Sequence, residues 1–511
     1  MPWLQLPEPE TGPPLAFPDA AGAKAWLEAQ ARTQPLLMLE LLAGQVDAVD
    51  GTDLAPAQGI ELLNVLHGAI LPVQASLEVR YTRKALPMPD DERRIFMAAQ
   101  QLWTRLGIAY LRRVPHFAPP EKCLPLQRAA NAFRLAQYAH FLAACECPPL
   151  LDQLLFAVLV HAEGSGILRQ PLSDPDYPHL PEAQLAGLVA WALLLRLIDP
   201  YRLTAPQLTV ANRALSRWRE LCSFQAEPER SAPGQLIPLV ARFAGQIPDG
   251  APQWLNIRSV MRKIRGRIDA LRAGDTPEAL KLGRELSNTA CLRLLNDIEH
   301  RLQAPAMATT PAKLGDIALV FGGEHAYAVF TGERLNPDSG MDVKSQALAN
   351  QRMAVFGFDQ VSRLPTAVRK LHIPEEHWTR HDGRVTRPPG AGARRLAPCL
   401  VASLHGGQPR LGVLRGLLSD AAGTLKASLD WYPGQIEGCR LRPPGRHDQK
   451  LPPIAVFLLR QAEQMSLILP PNAALRPGFG LAIEGSSIQH LIPGEVLDRG
   501  IDFVRYACRP G

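Results

Sequence analysis

Apolar side chains recur at two different periods along this 511-residue chain, and the change of period divides it. Between residues 91 and 114, Ile95, Ala99, Leu102, Trp103, Leu106 and Tyr110 return mostly at intervals of three and four, which lines one face of an α-helix. Asp90 and Asp91 stand where a cap and a negative charge favour a helix start. Residues 126–145 hold no Gly or Pro, and Pro148-Pro149 follows just beyond. The segments 150–161 and 182–198 are apolar on most sides, as helices at the centre of a bundle are. Leu208, Val210, Leu215, Trp218 and Leu221 continue the pattern. Thr276-Pro277 predicts a further helix, with Thr as cap and Pro at the first position, running to about Leu302. No self-similarity at a fixed period points to a solenoid.

The segment 303–313, QAPAMATTPAK, has the small-residue and proline content of a linker, and beyond it the alternation is two-residue. Residues 316–321 and 325–331 flank Gly322-Gly323 and predict a hairpin. In 424–431 Leu425, Ala427, Leu429 and Trp431 face one way and Thr424, Lys426, Ser428 and Asp430 the other, a strand that pairs with 411–418 across the turn at 419–423. Further strands are expected at 454–459, 466–469, 480–483 and 501–506, separated by Pro/Gly turns. Many short strands with such turns argue for small barrels. The expected fold is a multidomain α + β chain: an irregular α-helical N-terminal domain, then mainly antiparallel small β-barrels. Its boundaries are 1–302, a linker at 303–313, a barrel at 314–445, and a second small barrel or β-extension at 446–511.

Length supports this division, since one hydrophobic core stops growing near 250–300 residues. An apolar content of 46% with 20% charged residues is a globular balance. The 48 prolines are nearly twice the average usage of about 5%, which predicts short elements with enforced stops. The longest uncharged apolar run, 185–195, is about half of the roughly 20 residues a membrane span needs, and residues 1–20 carry no positive charge ahead of an apolar core. Eight scattered cysteines with no C-x-x-C suggest reduced thiols in a cytoplasmic protein. The net charge of +6 belongs to the part after residue 306, where 24 basic face 18 acidic residues.

Candidate chemistry concentrates in Trp378–Arg395, WTRHDGRVTRPPGAGARR, where Arg380, Arg384, Arg387, Arg394 and Arg395 are opposed by Asp382 alone. Guanidinium groups so crowded sit either in water, as a solvated loop, or against anions such as phosphate. Arg440, Arg442 and Arg446 form a second basic cluster. Residues 254–272 form a basic amphipathic helix, either a nucleic-acid or anionic surface or the solvated outer helix of the bundle. No nucleophile elbow, Walker loop, Rossmann fingerprint or H-E-x-x-H spacing occurs, and the 13 histidines do not cluster with carboxylates. The expectation is a non-enzyme with no catalytic residues, no metal and no cofactor.

Three stretches, Trp378–Leu396, Leu411–Gly434 and Gly480–Tyr506, resemble a diverged PilZ-type β-barrel region, a bacterial module that senses cyclic di-GMP. Arg380-His-Asp-Gly-Arg384 fits the family's R-x-x-x-R, and Gly412 with Arg415 fits its glycine-preceded strand carrying an arginine. In place of D-x-S-x-x-G, Asp382 is followed by Arg384 and Arg387. The resemblance implies a cyclic dinucleotide held by Arg380, Asp382, Arg384, Arg387, Arg394, Arg395 and Arg415. It also implies a bacterial cytoplasmic signalling or adaptor protein whose helical domain, unassigned by resemblance, meets a protein partner. The alternatives are a ligand-free interaction scaffold and, less favoured because the helical part has zero net charge, nucleic-acid binding through 254–272.

Overall fold

A computed structural model describes residues 4–304 except 10–11, 31–32, 179, 181, 229–233 and 249, and residues 315–511 except 334, 336–372, 382, 406, 443–452, 462–463, 472, 474, 476–479 and 487. Two compact units emerge, one of Met1–Thr309 with Leu418–Ala421, the other of Thr310–Leu417 and Ala422–Gly511.

The first unit is helical: α1 (Ala20–Ala29), α2 (Pro35–Gly51), α3 (Pro56–Tyr81), α4 (Asp90–Arg113), α5 (Pro119–Ala143), α6 (Pro149–Gly164), α7 (Leu185–Leu197), α8 (Ala205–Trp218), the single turn α9 (Leu239–Arg242), α10 (Arg258–Arg272) and α11 (Asn288–Gln303). Proline explains many of its starts. It occupies the first turn of α2, α3, α5, α6 and α8, where a missing N–H leaves no bond unmade. Helix α4 opens instead on Asp90, Asp91 and Glu92, which complement the positive end of the helix. Helices α4 and α5 approach closely at Gly107, where an added Cβ would lie 2.4 Å from the Phe133 ring. Among the described residues α3 is long and apolar enough to cross a membrane, yet its Leu62, Leu63, Leu66 and Ile70 are wholly buried in the bundle core. A small sheet of β1 (Ser223–Gln225), β2 (Leu236–Pro238) and β3 (Trp254–Asn256) precedes α10, so 254–256 is a strand and not the start of the basic helix.

The helix expected from Thr276 is also shorter. Thr276 caps a single turn, accepting from the Ala279 amide at 3.2 Å, but Lys281 and Gly283 then take φ of 61° and 104°, which no α-helix continues through. Helix α11 starts afresh at Asn288, with the Ser287 hydroxyl accepting from the Ala290 amide.

In the second unit, β4 (Gly315–Phe321), β5 (Glu376–His381), β6 (Arg384–Arg387), β7 (Cys399–His405), β8 (Gln408–Ser419) and β9 (Leu425–Trp431) close into a barrel ordered β4-β5-β6-β9-β8-β7. The strands β10 (Gln435–Leu441), β11 (Ile454–Gln461), β12 (Gln464–Leu469), β13 (Leu481–Glu484), β14 (His490–Arg499) and β15 (Val504–Pro510) close into a second, ordered β10-β11-β12-β15-β14-β13. Numbered within each barrel, both orders are one-two-three-six-five-four. The fold is thus a helical N-terminal region followed by two antiparallel six-stranded barrels.

Two sequence expectations change here. Residues 325–331 are not a strand: Gly322 takes φ of 90° and the chain enters α12 (Gly323–Thr331), which buries Ala326 and Tyr327. The second barrel begins before residue 446, at β10, because Cys439 and Leu441 pack inside it with Val456, Leu458 and Leu467. Between the barrels runs a separate apolar seam, with Val320, Leu400, Ala402, Leu411 and Val413 on one side and Ala455, Phe457, Leu459 and Ile468 on the other. Strands β8 and β11 are buried on both faces because each is walled by its own barrel and by this seam.

Candidate functional site

The arginine-rich segment builds the β5–β6 hairpin and the loop after it. Its register pairs Thr379 with Thr386, Arg380 with Val385 and His381 with Arg384, and Gly383 turns the chain with φ of 73°, open to glycine without a Cβ clash. Side chains alternate across a strand. Arg380 therefore shares the face of buried Trp378 and Val385, while Arg384 lies on the opposite, exposed face. The two arginines of the R-x-x-x-R pattern straddle the hairpin instead of facing one point. Asp382 lies outside the described residues.

Convergence does occur further along, on a carboxylate of the same chain. Arg387, 1% exposed, donates from Nη1 to Glu376 Oε2 at 2.5 Å and from Nη2 to the Ala393 carbonyl at 2.7 Å. Arg395 donates to Glu376 Oε1, and the Ala393 amide donates to the same oxygen at 3.2 Å. Both guanidiniums also lie over rings, Arg387 over Trp378 at 5.1 Å and Arg395 over Phe321 at 4.0 Å. Burial pushes the Glu376 carboxyl up, but Arg395 and Arg387 outweigh it and hold it below the usual carboxylate range. Gly392 is required here, since a Cβ would meet Arg387 Nη1 at 2.6 Å. Arg415 is likewise engaged: it donates to both oxygens of Asp498 at 3.0 and 2.6 Å, and to Asp430 at 3.3 Å, at the edge of the seam between the barrels.

Of the residues expected to hold a nucleotide, then, Arg387, Arg395 and Arg415 brace the barrels, while Arg384 and Arg394 are exposed and Arg380 is half-buried. In the second basic cluster Arg440 meets Glu333 and the Tyr327 hydroxyl, Arg442 meets Glu484 at 2.5 Å, and Arg446 lies outside the described residues. Helix α10 buries Val260, Met261, Ile264, Ile268 and Leu271 and exposes Arg258, Arg262, Lys263 and Arg272, as an outer helix of the bundle would. Among the described residues no group of His, Cys, Asp and Glu could hold a metal. Burial pushes the Cys145 and Cys399 thiols up to about 12, away from the thiolate.

The sequence reading missed a polar face on α5. Gln127, Asn131 and Arg134 are all buried, in a helix otherwise rich in Ala, Leu and Phe. Polar residues spaced four and three apart within an apolar helix are a signal that composition alone passes over.

Residues 20–229 match a family model described as the cyclic-di-GMP receptor FimW, N-terminal domain. The match spans α1 to α8 and β1, less than half of the chain. It falls on the helical region, which the sequence reading left unassigned, and not on the barrels where the resemblance was drawn. The two six-stranded barrels fit the PilZ-like expectation. Neither the curated proteins nor the solved structures yield a match.

Proposed function

We propose that this chain is a non-catalytic, cytoplasmic signalling protein that responds to cyclic di-GMP, with the helical region presenting a surface to a protein partner. The observation carrying this reading is the match of residues 20–229 to the N-terminal domain of a cyclic-di-GMP receptor; the paired barrels downstream agree with it. Arg380 and Arg384, each on its own side of the hairpin, would be the arginines to meet phosphate oxygens, because Arg387, Arg395 and Arg415 already neutralise Glu376, Asp498 and Asp430. Binding would bias the chain only through contacts that differ between two of its states. Titration calorimetry of the full chain tests this: heat of binding is expected, weakened at least tenfold by the double change Arg380→Ala with Arg384→Ala. No heat at high micromolar cyclic di-GMP ends the proposal.

The internal engagement of Arg387, Arg395 and Arg415 favours a second reading, an interaction scaffold whose barrels hold no ligand. It expects the same double change to leave every binding property intact.

A further inference from the structure

Cys123, Gln127, Asn131, Arg134 and Tyr138 follow one another on α5 at spacings of four, four, three and four, so they share one face. That face looks onto the irregular segment 170–177: Cys123 Sγ contacts Gln170 Oε1 at 3.3 Å and Gln127 Nε2 donates to the Leu172 carbonyl at 3.3 Å. Beyond this segment Arg134 lies flat on Trp191 of α7, 3.7 Å from the ring centroid. Two side chains on this face are left wanting. Asn131 is 0% exposed, and neither its amide nitrogen nor its amide oxygen has a partner among the described residues. Arg134 is 4% exposed, its Nε is unpartnered, and no described carboxylate pairs with it. The charge near it is another cation, Arg219, itself paired with Glu220 at 3.0 Å.

A neutral ligand could satisfy Asn131 but would leave the Arg134 charge uncompensated, and burying a charge without a counter-charge is strongly unfavourable. Burial lowers the Arg134 pKa to about 10, which still leaves it cationic at neutral pH. With Trp191 covering one face of the guanidinium, its in-plane donors remain for forked recognition of an oxyanion. Asn131 supplies one donor and one acceptor side by side. The acceptor selects among anions, because it needs a ligand that carries a proton as well as negative charge. Hydrogen phosphate has such an O–H at neutral pH, and a phosphate monoester, whose second pKa is about 6, has it in the monoanionic form the site would select. Sulfate and a phosphodiester do not.

We propose that Arg134 and Asn131 form a site in the helical unit for a protonated phosphate group, either free phosphate or a phosphate monoester. This is distinct from any site for a cyclic dinucleotide, whose phosphodiesters lack the proton, and it does not rest on the reading given above.

Thermal unfolding of the full chain tests it, in phosphate, guanosine monophosphate, sulfate or cyclic di-GMP at matched ionic strength and neutral pH. Millimolar phosphate or the monophosphate should raise the midpoint by about 3 °C or more over sulfate, by mass action on the folded state. Whichever of the two acts identifies the source. Arg134→Met keeps the packing on Trp191 and should abolish the difference. Asn131→Asp builds a counter-charge into the site and should raise the midpoint in sulfate while removing the response to phosphate. Equal midpoints in all four solutes, or a phosphate effect that survives Arg134→Met, would overturn the site. A cyclic di-GMP effect unchanged by Arg134→Met but lost on changing Arg380 and Arg384 bears on the barrels alone.

Discussion

Replacing Glu376 by Gln keeps the volume and one acceptor oxygen but removes the charge on which Arg387 and Arg395 converge. Arg395 can turn towards water, being 24% exposed on its side chain, whereas the Arg387 side chain is 1% exposed and cannot. The penalty therefore falls on Arg387, whose remaining partners are the Ala393 carbonyl and the Trp378 ring. Removing one member of a buried pair costs about 3–5 kcal/mol, while an exposed pair is worth about 1 kcal/mol or less. Because Gln retains an acceptor, we expect the low end, about 3 kcal/mol. Hydrogen exchange of peptides covering residues 376–387 across a urea series reads this in the first barrel itself. Adding Arg387→Met should restore most of the loss, since no unpaired charge then remains. The wild-type contribution should be full above the unfolded carboxyl value of about 4.3 and lost as pH falls through the lower folded value, because folding holds this group deprotonated. A loss under about 1 kcal/mol for Glu376→Gln, or none recovered by the second change, would refute the argument that this pair frames the barrel.

Asp498→Asn should weaken the polar edge of the seam by about 2 kcal/mol, the range for a hydrogen bond to a charged group, and should speed exchange in both β8 and β14; exchange accelerated in one strand alone would count against it. Gly107→Ala should lower the unfolding free energy of the helical unit by about 1–3 kcal/mol in urea denaturation, because the new methyl meets the Phe133 ring, while Gly164→Ala, where an added Cβ meets nothing within 4 Å, gives the baseline. Burial holds His67 neutral down to about 3 and His140 to about 4. Both folded values lie below the unfolded value of about 6.5, so stability should decline as pH falls from 6.5 towards 4, and His140→Phe, which keeps a ring against Phe96, should make the urea midpoint less steep with pH.

The division into helices and barrels was legible because the apolar period itself switches from three-to-four to two. What the period could not resolve was local. In 323–331 the residues Ala326, Tyr327 and Phe330 satisfy helical spacing as well as a strand does, and packing of Tyr327 on the inter-barrel seam decides for α12. At the candidate site the arginines were found but not their counter-charges. Glu376 precedes Arg387 by eleven positions and Asp498 follows Arg415 by 83, so hairpin pairing of β5 with β6 joins the first two and the packing of one barrel on the other joins the second two. The α5 face was missed for a related reason: residue type does not mark Gln127, Asn131 and Arg134 as buried, and burial is set by the helices and the segment 170–177 that cover them.

The two barrels share a strand order but meet through different walls, β4, β7 and β8 of one against β11 and β12 of the other. Such a heterologous joint cannot be satisfied by two copies of the same half. Cutting the chain between β9 and β10 would thus strip Leu411 and Val413 from Phe457 and Leu459, leaving each fragment with a sticky flank that its own duplicate does not fit. Expression trials on single barrels should meet precipitation, and any fragment meant for crystallography should carry both.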